Sequence, residues 1–271
     1  MLREALEYLT TPCPPLARRH RYLTEMIALG ARHRRQRRAW EPHVACCHRF
    51  IRDAVLWGPK GGRALVAGSG RLIEVPLPLL AERFDEVVLA DMLHVRSVRR
   101  EARRFANVRL ATLDLTGALA PLDAAMAATM NGGLSPPRPD PPALAGGGFA
   151  FAVSCNLLSQ LPILPLEMID RRAPGTPEAV RLDFARSLVR SHLEWLARTA
   201  RTSALFTDTE SLWMESGRVA EREDSLWGLT LPAPDRRWIW DIAPAPEADS
   251  RRDLRHAVGA WFDVGSIAAS L

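Results

Sequence analysis

The chain has 271 residues, with 36 lysine plus arginine against 31 aspartate plus glutamate for a formal net charge of +5, and it is 47 % hydrophobic and 25 % charged. That is the make-up of a soluble globular protein with a sizeable core. No stretch approaches ~18 consecutive apolar residues, which excludes a membrane-spanning helix. Met1 to Thr11 carries Glu4 and Glu7 instead of a basic-then-apolar leader, so the expected location is cytoplasmic.

Lys60 is the only lysine. With 21 prolines and abundant alanine, this marks a bacterial type of compositional bias more than selection for phosphate binding. The run Arg32 to Arg38 reads as a solvated helix face; no stacking aromatics alternate with its arginines, so nucleic acid is not an expected partner. The four cysteines (Cys13, Cys46, Cys47, Cys155) include no Cys-x-x-Cys pair, which fits a reducing compartment. His43, Cys46, Cys47 and His48 are potential ligands. On a helix His43 and Cys47 share a face that His48 does not, so no metal site is expected.

In chain order, Leu2 to Leu9 predicts a short helix, ended by Pro12, Pro14 and Pro15. Leu16 to Arg38 predicts a second, with Tyr22, Leu23, Met26, Ile27 and Leu29 at helical spacing. His43 to Leu56 predicts a third, and Trp57 to Gly62 a loop. From Arg63 strands alternate with helices. Ala64 to Ala67, Glu86 to Ala90, Asn107 to Leu113 and Phe149 to Ser154 are the first four strands; Leu77 to Phe84, His94 to Phe105 and Gly117 to Met130 are the intervening helices. Asn131 to Gly148 reads as a long surface loop. Val180 to Arg198 is a long helix, and Ser203 to Thr207, Trp238 to Ile242 and Ala257 to Val264 are later strands. The alternation implies a parallel sheet with helices on both faces, binding its ligand outside the carboxyl ends of the strands.

Those ends carry the chemistry. The first strand closes on Gly68-Ser69-Gly70, where the missing Cβ lets backbone approach a ligand. The second closes on Asp91, about twenty residues later, where a carboxylate accepts ribose hydroxyls or caps the next helix. The third closes on Asp114-Leu115, which suits an adenine amino group and face, or again a cap.

In that order, Arg63-Ala-Leu-Val-Ala-Gly-Ser-Gly70, Glu86-Val-Val-Leu-Ala-Asp91 and Asn107-Val-Arg-Leu-Ala-Thr-Leu-Asp-Leu115 resemble the class I S-adenosylmethionine-dependent methyltransferase family, as does the stretch Phe149 to Pro162. The resemblance covers roughly Arg63 to Val264. It implies a Rossmann-like, mostly parallel α/β sheet closed by an antiparallel final strand, with a helical N-terminal extension: residues 1–60 as a cap, 61–271 as the methyltransferase domain. It implies S-adenosylmethionine as cofactor, with Gly68, Ser69 and Gly70 along its methionine and ribose, Asp91 and Met92 at the ribose, and Asp114 and Leu115 at the adenine. Ser154, Cys155 and Asn156 would lie near the transferable methyl. Two positions depart from the family: Val66 stands in place of its acid, and Leu72 in place of its third glycine.

The expected reaction is methyl transfer to a small-molecule or lipid-like acceptor. Gln160, Asp208, Glu210 and Trp213 are candidates on the acceptor side, and Trp213, Trp227 and Trp238 would wall a pocket. A non-catalytic scaffold keeping the fold, or a nicotinamide-dependent oxidoreductase, are the alternatives. The latter lacks a Tyr-x-x-x-Lys pair. The sequence names no catalytic base. The N-terminal helices, too few to bury a core of their own, are expected to close over the cofactor cleft.

Overall fold

A computed structural model describes residues 2–128 and 134–271. The expected helix end at Met130 and the first residues of the 131–148 loop lie outside the described residues. Four helices come first: α1 (Leu2–Thr10), α2 (Pro15–Arg19), α3 (Tyr22–Arg35) and α4 (Arg37–Trp57). The alternating part follows as β1 (Arg63–Ala67), α5 (Leu77–Arg83), β2 (Glu86–Asp91), α6 (Arg96–Ala102), β3 (Val108–Thr112), α7 (Leu119–Ala128) and β4 (Phe149–Cys155). Then come α8 (Ile163–Arg172), α9 (Glu178–Thr199), β5 (Ala200–Glu215), β6 (Arg218–Asp224), β7 (Arg236–Ala243), β8 (Asp253–Trp261) and α10 (Val264–Ser270).

The sheet runs β3-β2-β1-β4-β5-β8-β7, with β6 paired to the far half of β5. β1 to β5 are mutually parallel, while β8 is antiparallel to both β5 and β7. This is the expected Rossmann-like sheet with an antiparallel closing strand. β4 is buried at every position, as a central parallel strand covered on both faces must be. One face packs Phe50, Ile51 and Val55 of α4 and Leu80 of α5 onto Val66, Phe151, Phe206 and Val258. The other packs Val189, Leu193 and Leu196 of α9 and Ile267 of α10 onto Leu65, Ala152 and Leu205.

The expected single helix from Leu16 to Arg38 is broken twice. Arg21 takes a left-handed conformation (φ 69°), and Gln36 breaks the chain before α4. α4 then begins before Pro42, where a proline would ordinarily mark a start. Tertiary contact overrides it: Trp40 is 1 % exposed and its indole donates to Ile242 O at 2.9 Å. The expected helix from His94 is shorter, and His94 lies ahead of α6, fully buried, with its ring nitrogen 3.3 Å from Ala111 O. The last strand ends at Trp261 instead of Val264 because the Asp263 side chain accepts from Ser266 N–H and starts α10.

The strand expected at Ser203 to Thr207 is 16 residues long, and β6 was not expected at all. Beyond Thr207 β5 stays paired with β8 on one edge and takes β6 on the other, and every β6 residue is exposed. A strand wet on both faces, as β6 is, has no apolar alternation for a sequence to display.

Candidate functional site

The glycine turn is hung from the end of β2: Gly68 and Ser69 N–H both donate to Ala90 O (3.0 and 3.3 Å). Gly70 N–H donates to Asp91 Oδ2 and Met92 N–H to Asp91 Oδ1, each at 2.7 Å. Asp91 thereby ties the two strand ends together and, with Leu93 N–H as a third donor, keeps acceptor capacity for a further one. Burial pushes its carboxyl up to about 6, against the backbone N–H bonds of Gly70, Met92 and Leu93 that favour the ionised form. Gly68 has φ +72°, and a Cβ there would meet Leu157 Cβ at 2.9 Å. Here the crossing chain after β4, not a ligand, demands the glycine. Ser69 is 2 % exposed, and its hydroxyl has no partner among the described residues.

Asp114 has its oxygens engaged as a cap. Oδ1 accepts from Thr116 N–H (2.8 Å) and Oγ (2.6 Å), and Oδ2 from Leu119 N–H (2.8 Å) at the start of α7. It also lines a cavity of about 350 Å³ with Met92, Leu113, Pro14, Leu16 and Ala17. Leu115 lies in the core beneath, 5 % exposed. Tyr22 packs with Leu16 and Met92; burial and the nearby Asp114 charge push its phenol above the usual range. The N-terminal helices thus supply walls at the ends of β2 and β3. Arg71 after the glycine turn ties them down, pairing with Glu7 (2.8 Å) and donating to Met26 O.

The three residues closing β4 diverge. Ser154 is fully buried and its hydroxyl contacts His192 Nε2 of α9 at 2.9 Å; burial lowers that imidazole to about 4. Cys155 is buried against the α4 face, and desolvation pushes its thiol well up. Asn156 takes a left-handed conformation (φ 44°), and its Oδ1 accepts from Asp208 N–H at 3.1 Å. Gln160 folds back to donate to Asn156 O (2.7 Å).

The acceptor-side candidates separate. Asp208 is 3 % exposed inside β5, with Oδ2 2.9 Å from His256 Nδ1. Glu210 pairs with Arg222 (2.9 Å) on the hairpin. The three tryptophans do not form one wall: Trp213 donates to Glu223 on the hairpin, Trp227 to Ser159 O, and Trp238 to His43 Nδ1. The aromatic cluster that the structure does build lies in the core: Trp240, stacked on His43 with centroids 4.1 Å apart, and Trp40 against its edge.

His43, Cys47 and Glu74 bring ligand atoms within 4.8 Å of one another. Trp238 N–H donates to His43 Nδ1 at 3.0 Å, which puts the imidazole proton on Nε2, 2.8 Å from Glu74 Oε1. A metal on Nε2 would displace that proton to Nδ1, where it would face the indole N–H. Trp238, His43 and Glu74 therefore form a hydrogen-bonded chain. His48 turns away to Ile73 O (3.0 Å). Sequence reasoning missed Glu74 and His256, because each meets its partner only through tertiary contact.

Part of the arginine run is engaged within the chain, while Arg37 and Arg38 lie on the exposed face. Arg32, Arg35 and Gln36 converge on Glu247 in the β7–β8 connection, and Arg34 pairs with Glu4. No helix among the described residues is long and apolar enough to cross a membrane.

No protein-family model matches the sequence, and no curated protein does. Among solved structures, the chain is similar to a 1,6-didemethyltoxoflavin-N1-methyltransferase of Burkholderia thailandensis bound to S-adenosylhomocysteine (14 % identity, 83 % of this chain and 79 % of that one, TM-score 0.36). It is similar to a SAM-dependent methyltransferase of Leishmania major (11 %, 94 % and 81 %, TM-score 0.35). A third is the magnesium protoporphyrin IX methyltransferase of Synechocystis PCC 6803 (11 %, 95 % and 90 %, TM-score 0.32). These scores describe a loose likeness of outline, so function rests on the chain's own residues.

Proposed function

We propose that the protein transfers the methyl group of S-adenosylmethionine to a small-molecule acceptor. The observation that carries this reading is Asp91: a carboxylate at the end of β2, clamped to the glycine turn, beside a cavity lined by Met92, Leu113 and Asp114. That order suits a nucleoside: a ribose hydroxyl donates to the acceptor capacity left on Asp91, and adenine enters the cavity. The buried, unpartnered Ser69 hydroxyl beside Asp91 is a donor a bound ligand would satisfy. When bound, the cofactor supplies an electrophilic methyl on a sulfonium. The chain's task is alignment at Asn156, where β4 and β5 meet.

A nicotinamide dinucleotide fits less well. The strand order 3-2-1-4-5-6 associated with such binding is replaced here by an antiparallel β8 between β5 and β7. The intrachain pairing of Arg32, Arg34 and Arg35 favours a small acceptor over nucleic acid. Residues 1–60 act in this reading as a cap on the domain formed by 61–271, since Pro14, Leu16 and Ala17 wall the adenine cavity.

The test is thermal unfolding with S-adenosylmethionine, S-adenosylhomocysteine and the nicotinamide dinucleotides in turn. At about a hundred times Kd a ligand adds ~2.7 kcal/mol, a shift of several degrees. The first two should stabilise the protein and the dinucleotides should not; the reverse pattern refutes the reading.

A further inference from the structure

We propose that His256 is the base that takes the proton from the methyl acceptor, with Asp208 as its positioning carboxylate. This rests on the methyl-transfer reading above. It adds that the acceptor presents a group, such as a hydroxyl, that still holds its proton at neutral pH.

The pair lies where the methyl would be delivered. Asp208 donates its backbone N–H to the Asn156 side chain at the end of β4, and its Oδ2 is 2.9 Å from His256 Nδ1. Asn156 and His256 are therefore joined through one residue. Across the sheet His256 is the register partner of Ser211 on β5, beyond Phe206, where β5 last pairs with the end of β4. Its side chain thus reaches back toward the carboxyl edge from above.

The chemistry of the two groups is complementary. The Asp208 side chain is 4 % exposed, and its Oδ1 has no partner among the described residues. His256 is its one ion-pair partner among those residues. A carboxylate buried beside one imidazole has its charge best compensated when that ring gains a proton. Nδ1 faces the carboxylate, so Nε2 is the nitrogen left to accept. His256 keeps 15 % of its side chain open, and Trp240 forms a tilted aromatic wall 5.7 Å away. Nδ1–H is not aimed straight at the carboxylate, a looseness usual in catalytic pairs before substrate is bound.

The step balances simply. The acceptor proton passes to Nε2, its electron pair stays on the acceptor atom, and Asp208 offsets the imidazolium charge until the proton leaves to solvent. Other titratable groups surround the pair. α4 brings His43 and Cys47, the loop after β1 brings Glu74, and β4 brings Cys155. Asp241 and Glu210 are paired with Arg255 and Arg222.

The test needs no acceptor. Protein labelled at histidine is titrated by NMR in complex with S-adenosylmethionine and then with S-adenosylhomocysteine, with His256→Gln assigning the resonance. The two ligands differ by one methyl and one positive charge, at the sulfur. A ring close enough to serve the methyl titrates at lower pH beside the sulfonium, by about half a pH unit or more. In Asp208→Asn, where the ring is no longer held in place, the difference between the ligands should shrink. Equal midpoints with both ligands bound overturn the proposal and leave the methyl-transfer reading standing. Failure of both ligands to bind overturns that reading, and the proposal with it.

Discussion

The two ends of the carboxyl edge are built on different principles. At β1 to β3 the polar groups are fixed by neighbouring backbone: Asp91 by Gly70 and Met92, Asp114 by Thr116 and Leu119. At β5, β7 and β8, and on α4 packed against them, they are fixed by each other across long stretches of chain, as in Trp238 to His43 to Glu74 and Asp208 to His256. The first half is a local device and the second a tertiary one. The difference teaches that the proposed nucleoside site rests on strand-end motifs, whereas the proposed acceptor site would emerge only once α4, the loop after β1 and the closing hairpin are docked.

Removing the N-terminal helices should break the comparison most completely. Deleting residues 1–56 strips Trp40, Phe50 and Ile51 from one sheet face and the walls contributed by Leu16 and Ala17. The expected outcome is loss of the cooperative melting transition, with apolar surface detectable by dye binding. A truncated protein that melts at the same temperature and binds cofactor equally well would show residues 1–60 to be a separate module.

Trp40→Ala is the single-residue form of that cut. It empties a fully buried site and orphans Ile242 O, and should cost about 3–5 kcal/mol in denaturant unfolding. On the other half, Asp114→Ala removes a cap and should cost ~1 kcal/mol of stability. Calorimetry then separates its two roles: unchanged affinity for S-adenosylmethionine would leave Asp114 a cap alone.

The smallest effect is expected at Glu247. Arg35, Gln36 and Arg32 hold its carboxyl down to about 2. These are largely surface contacts, so Glu247→Gln should cost under about 1 kcal/mol and less in salt. Reversing Arg34, Arg35, Arg37 and Arg38 should not alter affinity for RNA or DNA at physiological salt; measurable binding that the reversal abolishes would contradict the assignment of the run.

The legible part of the molecule follows the same divide. β1, β2 and β4 are continuous apolar runs ending in glycine, aspartate or a polar turn, and the sequence displays each almost to the residue. The β5–β6 hairpin, α8 and the start of α4 were not legible. Their stability comes from partners far along the chain, and Pro42 points locally to the wrong boundary. Asp91 was legible because strand period and turn spacing place it. His256 was not, because a histidine in Arg-His-Ala-Val gains meaning only when β8 lies beside Asp208.

Asp91 also makes the proposed nucleoside half sensitive to pH. Its folded value of about 6 lies above the ordinary 3.8, so the fold favours the protonated acid. The stability this contributes is present below about pH 3.8 and is lost as pH rises through 6. Ribose hydroxyls donating to the carboxylate favour the ionised form, so ligand affinity should move the opposite way.

The most direct test of a cofactor site organised by Asp91 is calorimetric titration of S-adenosylhomocysteine into wild type and Asp91→Asn from pH 5 to 8. The account predicts that wild-type affinity rises through about pH 6 and then levels. The variant should bind ~1.5–3 kcal/mol more weakly at pH 8, with a flat profile across the range. Equal affinities with superimposable profiles would leave Asp91 a clamp for the glycine turn and contradict the account.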